Sequence, residues 1–292
     1  MSGHTHDHID WADRLALLRA ADSLDADAQA SAAARLISRL PAAPTVVDLG
    51  CGAGGASTHF ARELSSRGGG TIVLADATPE LLHEAQHVVR AAAGDGSPVQ
   101  IHAVAADLAD SELPEKVQAA DLVWASRVVH HLPDQQAAVA TLAAAVRPGG
   151  TVALAEGGLT FSCLPWDLGI GRPGLEDRLH AAQAEWFVGM REGINGSVPM
   201  PYGWPTALER AGLTEIGSFS VLVDHPAPGP DALPGYVHHH LSRIAEHATD
   251  LLIDEDRATL TSLLDPESPH HLAKRRDLYL LGARTVHHGR RP

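Results

Sequence analysis

Between residues 45 and 156 the chain alternates five short apolar runs with segments long enough to form helices. No other feature of the sequence narrows the fold so far. The runs are Thr45 to Leu49, Thr71 to Ala75, Val99 to Ala105, Asp121 to Ser126 and Thr151 to Glu156. Runs of this length, separated by helical stretches, predict an α/β fold with a parallel sheet covered on both faces. Helices are expected over 56–67, 78–93 and 133–146; the second opens with Thr78-Pro79-Glu80, an N-cap, a first-position proline and an acid in the first turn. Residues 1–43 read as a helical cap segment, with Leu15, Leu18, Leu24, Leu36, Ile37 and Leu40 as apolar positions and Pro41 and Pro44 closing it.

The rhythm breaks after Glu156. The spacing divides the chain into a core over 44–157, a lid insertion over 158–205, and a C-terminal part over 206–292. That last part holds a short helix near 206–211, a strand near 218–223, a helical insertion over about 227–275 and a last strand over 278–285. Trp166, Trp186, Tyr202 and Trp204 fall in the lid. Such clustering in an aromatic-poor chain suits the wall of an apolar pocket.

Charge and composition remove several functions. Among 292 residues, 22 Lys and Arg face 36 Asp and Glu, a formal balance of −14, and no basic run offers a nucleic acid or an anionic membrane a docking face. No apolar run approaches the ~20 residues of a membrane span. The amino terminus (His4, His6, Asp7, His8, Asp10) lacks the pattern of a secretory signal. Two cysteines build neither a disulfide framework nor a Cys-rich zinc site. A cytoplasmic protein acting on small molecules is the expectation, with a homodimer as its oligomeric option.

The stretch Val46-Val47-Asp48-Leu49-Gly50-Cys51-Gly52-Ala53-Gly54-Gly55 carries the chemistry. Glycines after a strand let the backbone approach a ligand, and the following helix presents free N–H groups. Gly50, Gly52 and Gly55 alone satisfy the dinucleotide spacing, with Asp76 placed to hold a ribose. An NAD(P)-dependent oxidoreductase is therefore one reading, and a non-catalytic cofactor-binding protein another. Asp48 before the glycines, Ala106-Asp107 after the third run and Arg147-Pro148-Gly149-Gly150 before the fifth add further marks. In this order the elements resemble the class I S-adenosylmethionine-dependent methyltransferase family.

The resemblance implies a Rossmann-like, doubly wound, seven-stranded sheet, mostly parallel with an antiparallel last strand, under a helical cap. It implies S-adenosyl-L-methionine as cofactor and transfer of its methyl group to an O, N or C atom of a small-molecule acceptor, as in specialised metabolism. Carried over by position, Asp48, Gly50, Cys51, Gly52 and Gly54 border the methionine part. Asp76 and Ala77 meet the ribose, Ala106, Asp107 and Leu108 the adenine, and Ser126 the donor side. The family commonly has Asn where Ser126 stands.

Catalytic candidates follow Ser126. His130 is the expected general base, its residue type being matched to neutral pH. Arg127 either binds an acceptor carboxylate or phosphate or pairs with Glu156. Glu156, at the end of the fifth run, faces the cleft and could hold an acceptor hydroxyl or amine. The adjacent histidines at His238-His239-His240, His270-His271 and His287-His288 lack a converging carboxylate, so no metal is expected.

Overall fold

The expected runs pair into one sheet. In the computed structural model, which describes residues 11–292 except 109, 111, 112 and 118, the strands are β1 (Thr45–Leu49), β2 (Gly70–Asp76), β3 (Val99–Ala105), β4 (Ala120–Ser126), β5 (Val146–Ser162), β6 (Thr214–His225) and β7 (Leu280–Arg290). Their order is β3-β2-β1-β4-β5-β7-β6. The first five are parallel to one another, while β7 runs antiparallel to both β5 and β6. His4, His6 and His8 lie outside the described residues.

Burial follows position in the sheet. Central β1 is buried from Val46 to Leu49, and every β4 residue except Ser126 is buried, as expected for strands covered on both sides. Edge strands β3 and β6 have fewer buried positions. β5 runs much longer than the sequence suggests. The expected turn at Arg147–Gly150 is absorbed into it, with Val146 opposite Ala120 and a register shift before Leu122. Beyond Ala155 a second irregularity lets β5 continue along β7 to Ser162.

Helices α1 (Trp11–Leu24), α2 (Ala26–Ile37), α3 (Gly55–Ser66) and α4 (Pro79–Ala93) precede the short α5 (Leu113–Lys116) and α6 (Gln135–Ala145). On one face, α2, α3 and α4 enclose Ile37, Phe60, Leu64, Ile72, Leu74 and Trp124. On the other, Val47, Leu49, Val123, Leu142 and Leu154 pack with Leu208 of α8 (Trp204–Arg210). Within the segment read as a lid insertion lies a 19-residue helix, α7 (Leu175–Gly193). It joins α9 (Leu233–His247) and α10 (Asp254–Leu264) in a third apolar cluster containing Leu179, Val237, Leu241 and Leu260, which roofs the carboxyl end of the sheet together with Leu24 of α1. A partly buried ion pair, Arg178 Nε and Nη2 to Asp256 at 2.8 and 2.7 Å, ties α7 to α10.

Among the described residues no helix is long and apolar enough to cross a membrane.

Candidate active site

The loop after β1 is shaped by backbone requirements. Gly50 and Gly52 take φ of +68° and +54°, a region L side chains rarely adopt. A β-carbon on Gly50 would fall inside the Val128 side chain, so this glycine lets the segment after β4 close onto the loop. Gly50→Ala should cost about 1–3 kcal/mol from strain and displacement of Val128. The check is a denaturant midpoint shift at constant m-value, accompanied by weakened cofactor binding.

Asp76 holds the loop from the neighbouring strand. One carboxylate oxygen accepts from Gly52 N at 3.0 Å and the other from Thr78 N at 2.9 Å. A carboxylate has about four lone-pair sites, so these two bonds leave capacity for ribose hydroxyls. The Asp76 carbonyl accepts from Ala106 N at 3.1 Å, which sets Ala106, Asp107 and Leu108 beside it, the first and third buried. Ala77 is exposed. Gly54 caps α3 at φ +87° with its Cα turned to Ala85 of α4, a packing position.

A cleft of about 260 Å³ opens over the loop. Asp48, Gly50, Cys51, Gly52 and Ser126 line it, as do Arg127 and Val128. Asp48 is 2% exposed, and its carboxyl accepts from Ser57 Oγ at 2.6 Å. Burial pushes it up to about 7 against the effect of that hydrogen bond, with the charges of Asp76 and Asp22 adding to the rise. Burial likewise raises the Cys51 thiol far above its ordinary value, which makes it a neutral packing group.

Leu18, Asp22 and Gln29 complete the cleft from α1 and α2. Sequence reasoning did not find them. A β-carbon on Gly55, the first residue of α3, would coincide with the Asp22 carboxyl. Asp22 therefore covers the helix N-terminus that a pyrophosphate would need. Burial raises its pKa, opposed by its hydrogen bond from Gln29 Nε2 at 3.3 Å and by Arg127.

Beyond Val128 the chain makes one 3₁₀ turn, Val129–His131, against Glu156 within β5. Glu156, 2% exposed, organises that turn. Its Oε1 accepts from Val128 N at 3.0 Å and Val129 N at 2.9 Å, and its Oε2 accepts from His130 Nδ1 at 2.6 Å. Hydrogen bonding at Nδ1 fixes the tautomer and leaves Nε2 as the basic nitrogen. Arg191 of α7 donates to the carbonyls of His130, Leu132 and Pro133 at 3.2, 2.6 and 3.3 Å, fastening the turn to the roof. Phe187 lies 6.0 Å from the His130 ring. His131, its ring 4.0 Å from that of His130, is pushed down to about 4 by burial and by its histidine neighbour.

Arg127 adopts φ +56° and pairs with Asp25 at 3.9 Å, so its carboxylate partner is Asp25 and not Glu156. Asp25 is itself held by Arg284 of β7 through Nε at 3.1 Å and Nη2 at 2.9 Å. The lid aromatics disperse instead of lining one wall. Trp166 is 71% exposed, Trp186 stacks on His247 at 5.0 Å, and Tyr202 donates to Gln136 Oε1 at 3.0 Å. Trp204 packs against the cluster under α8. Among the described residues no group of three or more His, Cys, Asp or Glu could hold a metal ion.

The model of a methyltransferase-domain family matches residues 47–152. Methyltransferase GfsG of Streptomyces halstedii is 27% identical over 192 residues, covering 65% of this chain and 60% of that protein. The chain thus spans about three fifths of that relative's length. Among solved structures, a chain of the complex between the Haloferax volcanii Trm112 methyltransferase activator and a methyltransferase is similar at 20% identity and a TM-score of 0.48, over 98% of this chain and 100% of that one. A SAM-dependent methyltransferase from Thiobacillus denitrificans in complex with S-adenosyl-L-homocysteine is similar at 17% identity and a TM-score of 0.42, over 89% of this chain and 90% of that one.

Proposed function

We propose that this chain, whose residues 47–152 match a methyltransferase-domain family, is a class I S-adenosylmethionine-dependent methyltransferase that moves the methyl group of that cofactor onto a small-molecule acceptor. One observation carries the choice over a dinucleotide: the glycine-loop cleft is lined by Asp22 and Asp48, with Asp22 over the start of α3. A buried carboxylate, Asp48, beside a half-buried one, Asp22, favours a ligand bearing ammonium and sulfonium charge and repels a pyrophosphate. The residues present therefore fit S-adenosylmethionine. Asp22, Asp48 and the loop amides hold its methionine end, Asp76 its ribose, and Ala106 to Leu108 its adenine.

The cofactor supplies an electrophilic methyl carbon activated by positive sulfur. The chain's own work is alignment and proton removal. His130 takes the acceptor proton at Nε2, and Glu156 positions the ring and stabilises the imidazolium through Nδ1. Arg127 stands at the junction of the cleft and the roof. The roof, formed by α1, the lid over 158–205 and the helical insertion over 227–275, encloses the acceptor and excludes water.

Thermal shift separates cofactors directly. A ligand at 100 times its Kd stabilises by about 2.7 kcal/mol. S-adenosylhomocysteine is expected to raise Tm and NADH to leave it unchanged; the reverse pattern overturns the reading. Binding of the cationic cofactor should also depend on pH. Asp48 sits near 7, neutral below and ionised above. A cation favours the ionised form, so binding tightens as pH rises from 6 to 8, by at most about tenfold per unit. Asp48→Asn should flatten this profile, measured by calorimetric titration.

A further inference from the structure

A second, smaller cavity of about 30 Å³ adjoins the cleft on the α2 face of the sheet. The two share Gln29, Trp124, Ser126 and Arg127 as walls. The small cavity adds Asp25 and Arg284. Its volume suits one hydroxyl-sized group.

Two polar atoms in its walls are buried and have no partner among the described residues: Trp124 Nε1, a donor, and Gln29 Oε1. The amide of Gln29 is oriented because its Nε2 donates to Asp22 Oδ1 at 3.3 Å, which leaves Oε1 as an acceptor. A buried donor and a buried acceptor left unmade each cost free energy, and a hydroxyl carries both of the complementary functions. A carboxylate here would face Gln29 Oε1, and an ammonium would face the indole N–H.

Charge at the rim differs from that at the floor. Asp25 has two guanidinium partners, bidentate Arg284 and the more distant Arg127 at 3.9 Å. The side chain of Arg127 is 41% exposed. It also feels Asp22, which in the proposed function is matched to the cofactor's cation. Once that cation is bound, Arg127 is the positive group left for an anion entering from the roof.

From this we infer that the acceptor is a hydroxylated carboxylic acid, seated with one hydroxyl between Trp124 and Gln29 and its carboxylate on Arg127. The inference rests on the methyl-transfer reading, since it places the acceptor beside the cofactor cleft. The anchoring hydroxyl is held at the floor, and the methylated atom is another group of the same molecule, on the His130 side.

Matched probes test it on the full chain saturated with S-adenosylhomocysteine. Salicylate carries both groups, benzoate lacks the hydroxyl and phenol lacks the carboxylate. Salicylate should bind at least about tenfold more tightly than either single-group probe, reflecting the cost of unpaired buried partners. It should also shift the Trp124 indole N–H resonance in a ¹⁵N–¹H spectrum. Gln29→Leu should reduce the preference over benzoate, and Arg127→Met the preference over phenol, each read as a ratio of probe affinities at saturating S-adenosylhomocysteine, so that a change in cofactor affinity cancels. Trp124→Phe is a second probe of the floor if Gln29→Leu fails to fold.

Equal binding of salicylate and benzoate, or an unmoved Trp124 signal, overturns the inference. A salicylate effect that vanishes when the cofactor product is added also overturns it, because the pocket would then belong to the cofactor's own carboxylate. Failure of S-adenosylhomocysteine to bind overturns the methyl-transfer reading instead, so the two failures are distinguishable.

Discussion

Glutamine at position 130 is expected to lower the single-turnover rate of methyl transfer by about 10²–10⁴-fold, the range typical of a lost general base, while S-adenosylhomocysteine binds unchanged. The expectation rests on geometry: Nδ1 is committed to Glu156 at 2.6 Å, so Nε2 is the nitrogen that can accept a proton. His130 is not among the residues lining the cofactor cleft, and its loss should leave that cleft intact. The rate is to be compared in the variant and the parent with any acceptor the parent methylates. Equal rates would eliminate the proton-acceptor role.

Glu156 yields the second large effect, and two substitutions separate its parts. Glu156→Ala removes the acceptor for Val128 N, Val129 N and His130 Nδ1 at a site 2% exposed. Stranding those donors should destabilise the protein by about 3–5 kcal/mol. That corresponds to a fall in Tm on the order of 10 °C. Glu156→Gln keeps an oxygen for the two amides but turns an N–H toward His130. The ring must then accept at Nδ1 and carry its proton on Nε2, the wrong tautomer for a base. Glu156→Gln should therefore fold nearly as well as the parent yet lose about 10²–10⁴ in rate, by analogy with the carboxylate of a catalytic triad. Loss of stability without this split would make Glu156 a fold residue alone.

The parts read correctly from sequence are those whose shape is decided locally. The strand runs, the glycine loop and the Thr78-Pro79 helix start each depend on residues within a few positions, and the structure has them in the expected order. What escaped depends on distant partners. Helix α7 carries Gly189 and Gly193 and follows a Gly- and Pro-rich stretch; it is held by burial of Leu175, Leu179 and Ala182 and by the Arg178–Asp256 pair, 78 positions apart. Asp22 shows no local signal, because its role follows only from how α1 lies over Gly55. Arg127 finds its partner in Asp25, 102 positions earlier, and not in Glu156. His130 and Glu156 were each legible as candidates, but their pairing was not. It requires the turn after β4 to fold against the middle of β5.

The tie between Asp25 and Arg284 spans 259 positions, and His225 Nε2 donates to the Leu24 carbonyl from 201 positions away at 2.7 Å. Helix α2 already packs on α3, its near neighbour in sequence, but these two ties fasten the junction of α1 and α2 to β6 and β7. Contacts so far apart in the chain form late, because closing the intervening loop is entropically costly. A disturbance at the far edge of the sheet, in β6 or β7, should therefore reach the wall of the cleft that carries Asp22 and Gln29.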